Sequence, residues 1–142
     1  MIIVVRFSYM KPPKPTDAEI EILHVLWKLE PATVRQIHEQ LTKTKQAQYT
    51  TTLKQLQVMT EKGLVVRDES ERSHVYRAAV RRNQVQRQMT THLIDHVFGG
   101  SAREMLMEAL GAKKVSKKEI AELRQMIDDF EKGSKGQKGN RQ

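Results

Sequence analysis

The sequence predicts a mainly α-helical protein with one small β-hairpin, organised as two consecutive domains. Apolar residues recur every three or four positions between residues 16 and 62, which is the spacing of amphipathic helices. The spacing shortens toward two between residues 64 and 77, as in two short strands, and returns to the helical period from residue 83 to residue 130. A chain of 142 residues has room for two such domains.

The first helix is predicted to begin after Thr16 and to end near Glu30. The Thr16 hydroxyl can accept a hydrogen bond from a free amide while Glu19 reaches back to the Thr16 amide, and the two bonds together form a capping box. Pro31 disfavours helical backbone in the residue before it. We expect this helix to be the most buried one, because its apolar residues surround it: Ile20, Ile22, Leu23, Leu26, Trp27 and Leu29.

A second helix and a third are expected, joined by a polar turn over residues 42–46. Thr33 and Gln36 form another capping box, which would start the second helix. The third helix is expected to run from residue 46 or 47 to Lys62, with Gly63 as its left-handed C-terminal cap. The predicted inner faces consist of Val34, Ile37 and Leu41 in the second helix and of Tyr49, Leu53, Leu56 and Met59 in the third.

A hairpin follows, with strands at residues 64–67 and 73–77 and a polar loop between them. Three helices followed by a hairpin indicate a winged helix-turn-helix domain, which we place at residues 14–80. Residues 1–13 are expected to be an extended or disordered lead-in. We hypothesise that Met10 is the natural start of the protein and that residues 1–9 are a gene-calling artefact.

The second domain is expected to be a helical dimerisation domain over residues 83–132. Its helices begin at Asn83 and after the capping residues Ser101 and Ser116, and the last helix carries apolar residues in a heptad-like spacing. So short a domain buries too little surface to fold well alone, so we expect it to pair with a second copy. The alternative is that its last helix packs against its own winged domain. The predicted homodimer interface consists of Val85, Met89, Leu93, Val97, Ile120, Leu123, Ile127 and Phe130.

Composition restricts the classes of function. The net charge of +8 favours an anionic partner, and the absence of cysteine excludes disulfides, thiol catalysis and cysteine-based metal sites. His92 and His96 have a spacing that can bind zinc, but the glutamate of the HExxH motif is missing. We therefore predict no enzyme, metal or cofactor, and no small-molecule ligand is evident from the sequence. Residues 133–142 contain nothing apolar to bury and are predicted to form a disordered basic tail.

The outer face of the third helix has the chemistry of a nucleic-acid-reading surface. If its apolar stripe is buried, Thr50, Thr51 and Lys54 project to solvent, and no acidic residue occurs between residues 40 and 60. Short hydroxyl side chains allow close approach to a DNA groove, and Lys54 can reach phosphates or base edges. The alternative is an ordinary polar helix face.

The hairpin is a candidate wing, although Asp68, Glu69 and Glu71 offset the charges of Arg67 and Arg77. At its tip, Arg72 could meet a phosphate or enter the minor groove. The full predicted DNA-contacting set is Thr33, Arg35, Lys43, Lys45, Gln48, Tyr49, Thr50, Thr51, Lys54 and Arg72.

These segments together resemble the penicillinase-repressor family of bacterial regulators, the BlaI/MecI family. The similarity covers residues 14 to 130 and lies in the runs 16–27, 49–56, 61–65 and 72–76. It implies a cytoplasmic homodimeric repressor that binds a palindromic DNA operator. It also implies a possible second partner, a membrane-bound sensor metalloprotease that cuts the repressor in its dimerisation domain.

The sequence departs from the family pattern at three places. Val58 stands where the family often has arginine, and Thr52 stands where valine is usual. The Asn-Phe bond that is cut in the β-lactam-responsive branch aligns with Glu108 and Ala109, which puts cleavage by the same specificity in doubt. Two other functions remain open at this point: a non-specific nucleic-acid-binding architectural protein, or a winged-helix adaptor that binds proteins.

Overall fold

The computed structural model describes residues 13–70 and 72–137. Internal contacts divide the chain into two units, with the division between Leu93 and Ile94. The described residues form six helices and three strands: α1 (Asp17–Leu29), β1 (Ala32–Thr33), α2 (Val34–Leu41), α3 (Tyr49–Lys62), β2 (Val65–Asp68), β3 (Val75–Ala78), α4 (Arg82–Val97), α5 (Ala102–Ala112) and α6 (Lys117–Gln137).

The predicted helix ends in the first unit are confirmed where a cap defines them. Both capping boxes form: the Thr16 and Thr33 hydroxyls each accept from the amide three residues later, and Glu19 and Gln36 accept from the capping amides. α1 ends at Leu29, and Gly63 closes α3 at φ 81°. α3 begins only at Tyr49, because Gln48 has extended backbone.

The sheet contains one strand more than the sequence predicts. Its order is β1-β3-β2, all antiparallel, with Ala32 opposite Tyr76 and Val65 opposite Ala78. β1 is two residues long, so its sequence shows no alternation, and only pairing with β3 reveals it. The fold class is therefore mainly helical with a small antiparallel sheet, as predicted.

The core of the first unit extends past the predicted domain boundary at residues 79–82. Val85 of α4 is only 3% exposed and belongs to this core, and Met89 packs against it. The Trp27 indole also donates a hydrogen bond to the Val80 carbonyl at 3.0 Å. Since α4 supplies buried residues to the winged unit, the boundary lies within α4, later than expected.

The second unit consists of the end of α4 together with α5 and α6. The Ser101 and Ser116 hydroxyls accept from the amides of Glu104 and Glu119, as predicted. α6 extends to Gln137, so helix replaces the first residues of the tail predicted to be disordered from Gly133; residues 138–142 lie outside the described residues. In the part of the chain that the structure describes, no helix combines the length and apolarity needed to cross a membrane.

Candidate nucleic-acid interface

α3 is held in place by a buried face that differs from the predicted stripe at two positions, Thr52 and Tyr49. Thr52, Leu56 and Met59 are at most 1% exposed. Tyr49 is 46% exposed, so the prediction that it is buried is wrong. It stands in the first turn of α3, where its ring stacks edge to face on His38 at a centroid distance of 5.5 Å instead of reaching the core.

The two helices of the helix-turn-helix are joined by a polar contact that the sequence did not reveal. The His38 ring nitrogen Nδ1 of α2 lies 3.0 Å from the Thr52 hydroxyl of α3. Thr52 is nearly fully buried, so its hydroxyl needs such a partner. The threonine that departs from the family pattern is thus a cross-helix hydrogen-bonding residue, and this contact orients the start of α3.

Opposite this buried face, Thr50, Thr51 and Lys54 are exposed, as predicted. They line one shallow groove of about 390 Å³ together with Thr16, Glu19, Gln55 and Val58. Lys54 forms no ion pair within residues 13–70 and 72–137. The groove therefore presents hydroxyl groups and an uncompensated ammonium group side by side.

The lysines of the turn before α3 differ in their surroundings. Lys43 is exposed, whereas the Lys45 ammonium lies 2.9 Å from the Glu21 carboxylate of α1. Lys45, which lies in the stretch without acidic residues, is thus paired with an acid from another helix. No local sequence pattern could predict this contact. Because both side chains of this pair are about two-fifths exposed, water screens their attraction strongly.

Three more residues that were predicted to contact DNA lie near α2 and the start of α3, and one of them, Thr33, caps a helix. The Thr33 hydroxyl accepts from the Gln36 amide and is committed to capping. Arg35 and Gln48 are exposed, and Gln48 makes no side-chain capping bond.

The wing carries a mixed charge. The Arg67 guanidinium is paired with the Glu69 carboxylate at 2.9 Å, and Arg72 and Arg77 are exposed. The Asp68 carboxylate accepts from the Ser70 amide at 2.9 Å, and this bond holds the pKa of Asp68 below its ordinary value. Arg72 at the tip is exposed and forms no ion pair with the acids that the structure describes.

An ion pair between a buried carboxylate and a partly exposed ammonium ties the start of α1 to the end of α3. Glu19 is 4% exposed, and its oxygens lie 3.0 and 2.8 Å from the Lys62 ammonium. Burial raises the pKa of Glu19, but the hydrogen bonds from Lys62 and from the Thr16 amide outweigh that effect and hold the pKa below its ordinary value. The pair sits beside the groove of α3 and fixes one wall of it.

We expect Lys62→Met to destabilise the protein by about 1–2 kcal/mol at pH 7, because it leaves the Glu19 carboxylate buried without its partner. A lowered pKa means that the pair stabilises the fold above pH 4.5, the ordinary pKa of Glu19, and that this stabilisation is lost as the pH falls through the folded-state pKa. Urea unfolding at pH 7 and pH 3 measures both effects.

Lys45→Met is the matched control, because it breaks the exposed pair with Glu21 and should cost about 0.5 kcal/mol or less. The difference between wild type and Lys62→Met should shrink at pH 3. An unchanged difference would show that Lys62 stabilises the fold by packing of its methylene groups.

The predicted dimer residues fall into two groups. Val85 and Met89 take part in the core of the first unit, and Leu93, the last residue of that unit, is 41% exposed. In the second unit Ile120 and Leu123 are half-buried. Three others there are largely exposed, at 64% for Val97, 55% for Ile127 and 77% for Phe130. Glu108 and Ala109, the predicted cleavage region, are exposed on α5.

Comparisons with known proteins agree with the resemblance read from the sequence. The sequence profile of the penicillinase repressor family matches residues 15–129. The transcriptional regulator BlaI of Mycobacterium tuberculosis is 32% identical over 119 residues, which cover 82% of this chain and 85% of that protein. The penicillinase repressor of Staphylococcus aureus is 19% identical over 115 residues, covering 81% and 91%.

Among solved structures, the solution structure of monomeric Bacillus licheniformis BlaI in complex with the blaP half-operator is 26% identical. The alignment covers 52% of this chain and 90% of the BlaI chain, with a TM-score of 0.47. The family match over residues 15–129 and the relative at 32% identity lead to one conclusion. The chain belongs to the penicillinase repressor family and is a DNA-binding transcriptional repressor, not an enzyme.

Proposed function

We propose that this protein acts in the cytoplasm as a homodimer that represses transcription by binding a palindromic operator through α3. The observation that carries the proposal is the exposed outer face of α3, where Thr50, Thr51 and Lys54 share one groove. In a helix-turn-helix the second helix enters the major groove, and its N-terminal residues meet the base edges. The small threonines let the backbone approach, and Lys54 reaches a phosphate or a base.

The other cations have positioning roles in this proposal. Lys43 in the turn and Arg35 on α2 neutralise phosphates on either side of α3, and Gln48 and Tyr49 contact the backbone or bases at its start. Lys45 contributes less to DNA binding, because its ammonium group is already paired with the Glu21 carboxylate. Arg72 reaches the phosphate backbone or the minor groove from the wing, while Thr33 serves as a cap.

The exposure of the second unit supports the proposed homodimer. Among the described side chains from Ile94 to Gly133 none is buried, so this unit has no closed core of its own. Val97, Ile127 and Phe130 are more than half exposed, and such apolar surface marks an interaction site. A second copy of the same unit would bury it, and two-fold symmetry would place two α3 helices on two half-sites about one helical turn apart, or a multiple of it.

Induction by proteolysis is the regulatory step that the resemblance implies. We propose that a membrane-bound sensor metalloprotease ends repression by cutting within α5 at Glu108 and Ala109, which are both exposed. Because these residues are helical, α5 must unwind locally before a protease can bind the bond. Co-expression with a metalloprotease encoded beside the gene, followed by mass determination of the fragments, tests this step.

Fluorescence anisotropy with DNA from the region upstream of the gene tests operator binding. We expect preference for that DNA over a scrambled duplex, with affinity that falls steeply as salt rises. Each neutralised phosphate contributes a slope of about −0.9 in log affinity against log salt. Equal affinity for both duplexes would point to a non-specific binder. No affinity for either duplex would point to an adaptor that binds protein.

Lys54→Ala tests whether α3 is the reading helix. We expect the preference for the operator over the scrambled duplex to fall by about tenfold, because a contact in the groove contributes to discrimination among bases. Lys43→Ala is the matched control, since the turn is expected to meet only phosphates and should weaken binding to both duplexes alike. A uniform loss in Lys54→Ala would place Lys54 on the phosphate backbone as well.

A further inference from the structure

The first unit has a second cationic region in a cleft of about 740 Å³. Its walls come from the end of α1, the end of β3 and the start of α4, and none of its lining residues belongs to the predicted DNA-contacting set. A volume of this size matches sites that hold small organic ligands. Its charged and aromatic lining residues are His24, Trp27, Lys28, Glu30, Arg81 and Arg82.

The charges around this cleft favour an anion. Lys28, Arg81 and Arg82 are exposed and form no ion pair within the described ranges, whereas Lys45, Lys62 and Arg67 of the same unit each do. Glu30 is the acid in the lining, and one oxygen of its carboxylate is already committed to the Ala78 amide at 3.0 Å. The two guanidinium groups are suited to a carboxylate or a phosphate, which they bind in bidentate geometry.

The other walls of the cleft favour a flat, partly apolar molecule. Trp27, the one tryptophan of the chain, is half-buried, and its indole nitrogen is satisfied by the Val80 carbonyl. The ring therefore offers apolar and aromatic surface only. The His24 ring stands edge to face against it at 5.3 Å and 89°, which adds a second aromatic wall.

We propose that this cleft binds a small planar organic anion, whose carboxylate or phosphate meets Arg81 and Arg82 and whose ring lies against Trp27. The site joins α1 to the segment between the wing strand β3 and α4. A ligand bound there would contact α1 and the β3–α4 segment at the same time. A site that bridges two parts of a DNA-binding unit is suited to an effector. The proposal does not depend on the operator or on the dimer.

Trp27 is itself the reporter, because the chain contains no other tryptophan. We expect 4-nitrophenyl phosphate or 4-nitrobenzoate to quench its fluorescence saturably after inner-filter correction, and the neutral 4-nitrobenzyl alcohol to quench only collisionally. The anion that binds with the higher affinity identifies the preferred head group, phosphate or carboxylate. Linear quenching by both anions, or equal binding of the alcohol, would overturn the proposal.

The double variant Arg81→Gln/Arg82→Gln should weaken anion binding by about tenfold or more, because it removes the charge-assisted hydrogen bonds. Arg87→Gln/Arg103→Gln is the matched control, since both of these arginines are exposed, carry the same charge and lie outside the cleft. Equal weakening in the two double variants would show that only overall charge matters. Should circular dichroism show that the first variant is misfolded, Lys28→Gln replaces it, with a severalfold weakening expected and unchanged affinity contradicting the site.

Discussion

Thr51→Glu is expected to lower the affinity for operator DNA by about a hundredfold. Thr51 is exposed at the start of α3 and lines the groove that holds Lys54. A carboxylate at this position would face phosphates and base acceptors at short range, and it would also remove the threonine hydroxyl. Because α3 lacks acids on this face, a single glutamate cancels the positive charge that Lys54 gives the groove. Fluorescence anisotropy at a fixed salt concentration measures the loss.

Thr91→Glu is the matched control for this experiment. It makes the same substitution at an exposed threonine of α4 in the same unit, so overall charge and helix propensity change equally. We expect its affinity for the operator to stay within about threefold of wild type, because exposed charges beyond a Debye length are largely screened. Similar losses in both variants would mean that net charge, and not the α3 face, governs binding.

Ile127→Asp/Phe130→Asp is expected to convert the proposed dimer to a monomer and to weaken binding to the full operator by about a hundredfold or more. Both side chains are more than half exposed in the single chain, so the substitutions cost the monomer little. In a dimer interface each carboxylate would be buried without a partner, which costs several kcal/mol. A monomer would also engage only one half-site at a time, which removes the gain from linked binding.

Analytical ultracentrifugation and operator binding measure these two effects in parallel. The control Ala121→Asp/Gln125→Asp places the same charges on the opposite face of α6, where both residues are exposed. It should leave the dimer intact. A dimer that survives Ile127→Asp/Phe130→Asp would transfer the interface to another surface, such as that of α5, where Met107 is also largely exposed.

Several features were predictable because they depend on residues close in the chain. The two capping boxes, the end of α1 before Pro31 and the left-handed Gly63 each involve partners within five positions. The exposed face of Thr50, Thr51 and Lys54 followed from helical periodicity alone. Periodicity led to the wrong prediction that Tyr49 is buried. The spacing of apolar residues shows which side of a helix a residue lies on, but not how far the core extends along the helix axis.

Other features required partners from distant parts of the chain. The His38–Thr52 contact, the Lys45–Glu21 pair and the Glu19–Lys62 pair each join different elements. The cleft around Trp27 was missed for the same reason, since residues 24–30 and 78–82 meet only after α1 packs beside β3. In a single sequence, such residues appear as isolated polar side chains without a visible partner.

The sequence by itself determined the class of fold and the family, and it predicted which helix reads DNA. These depend on repeat spacing, capping residues and charge sign, all of which are properties of short segments. Tertiary structure decided that α4 belongs partly to the winged unit, which lysines remain uncompensated, and where a second cationic cleft forms. The physical reason is that burial and charge pairing are set by the distance between groups in space, and folding brings together groups that the chain separates.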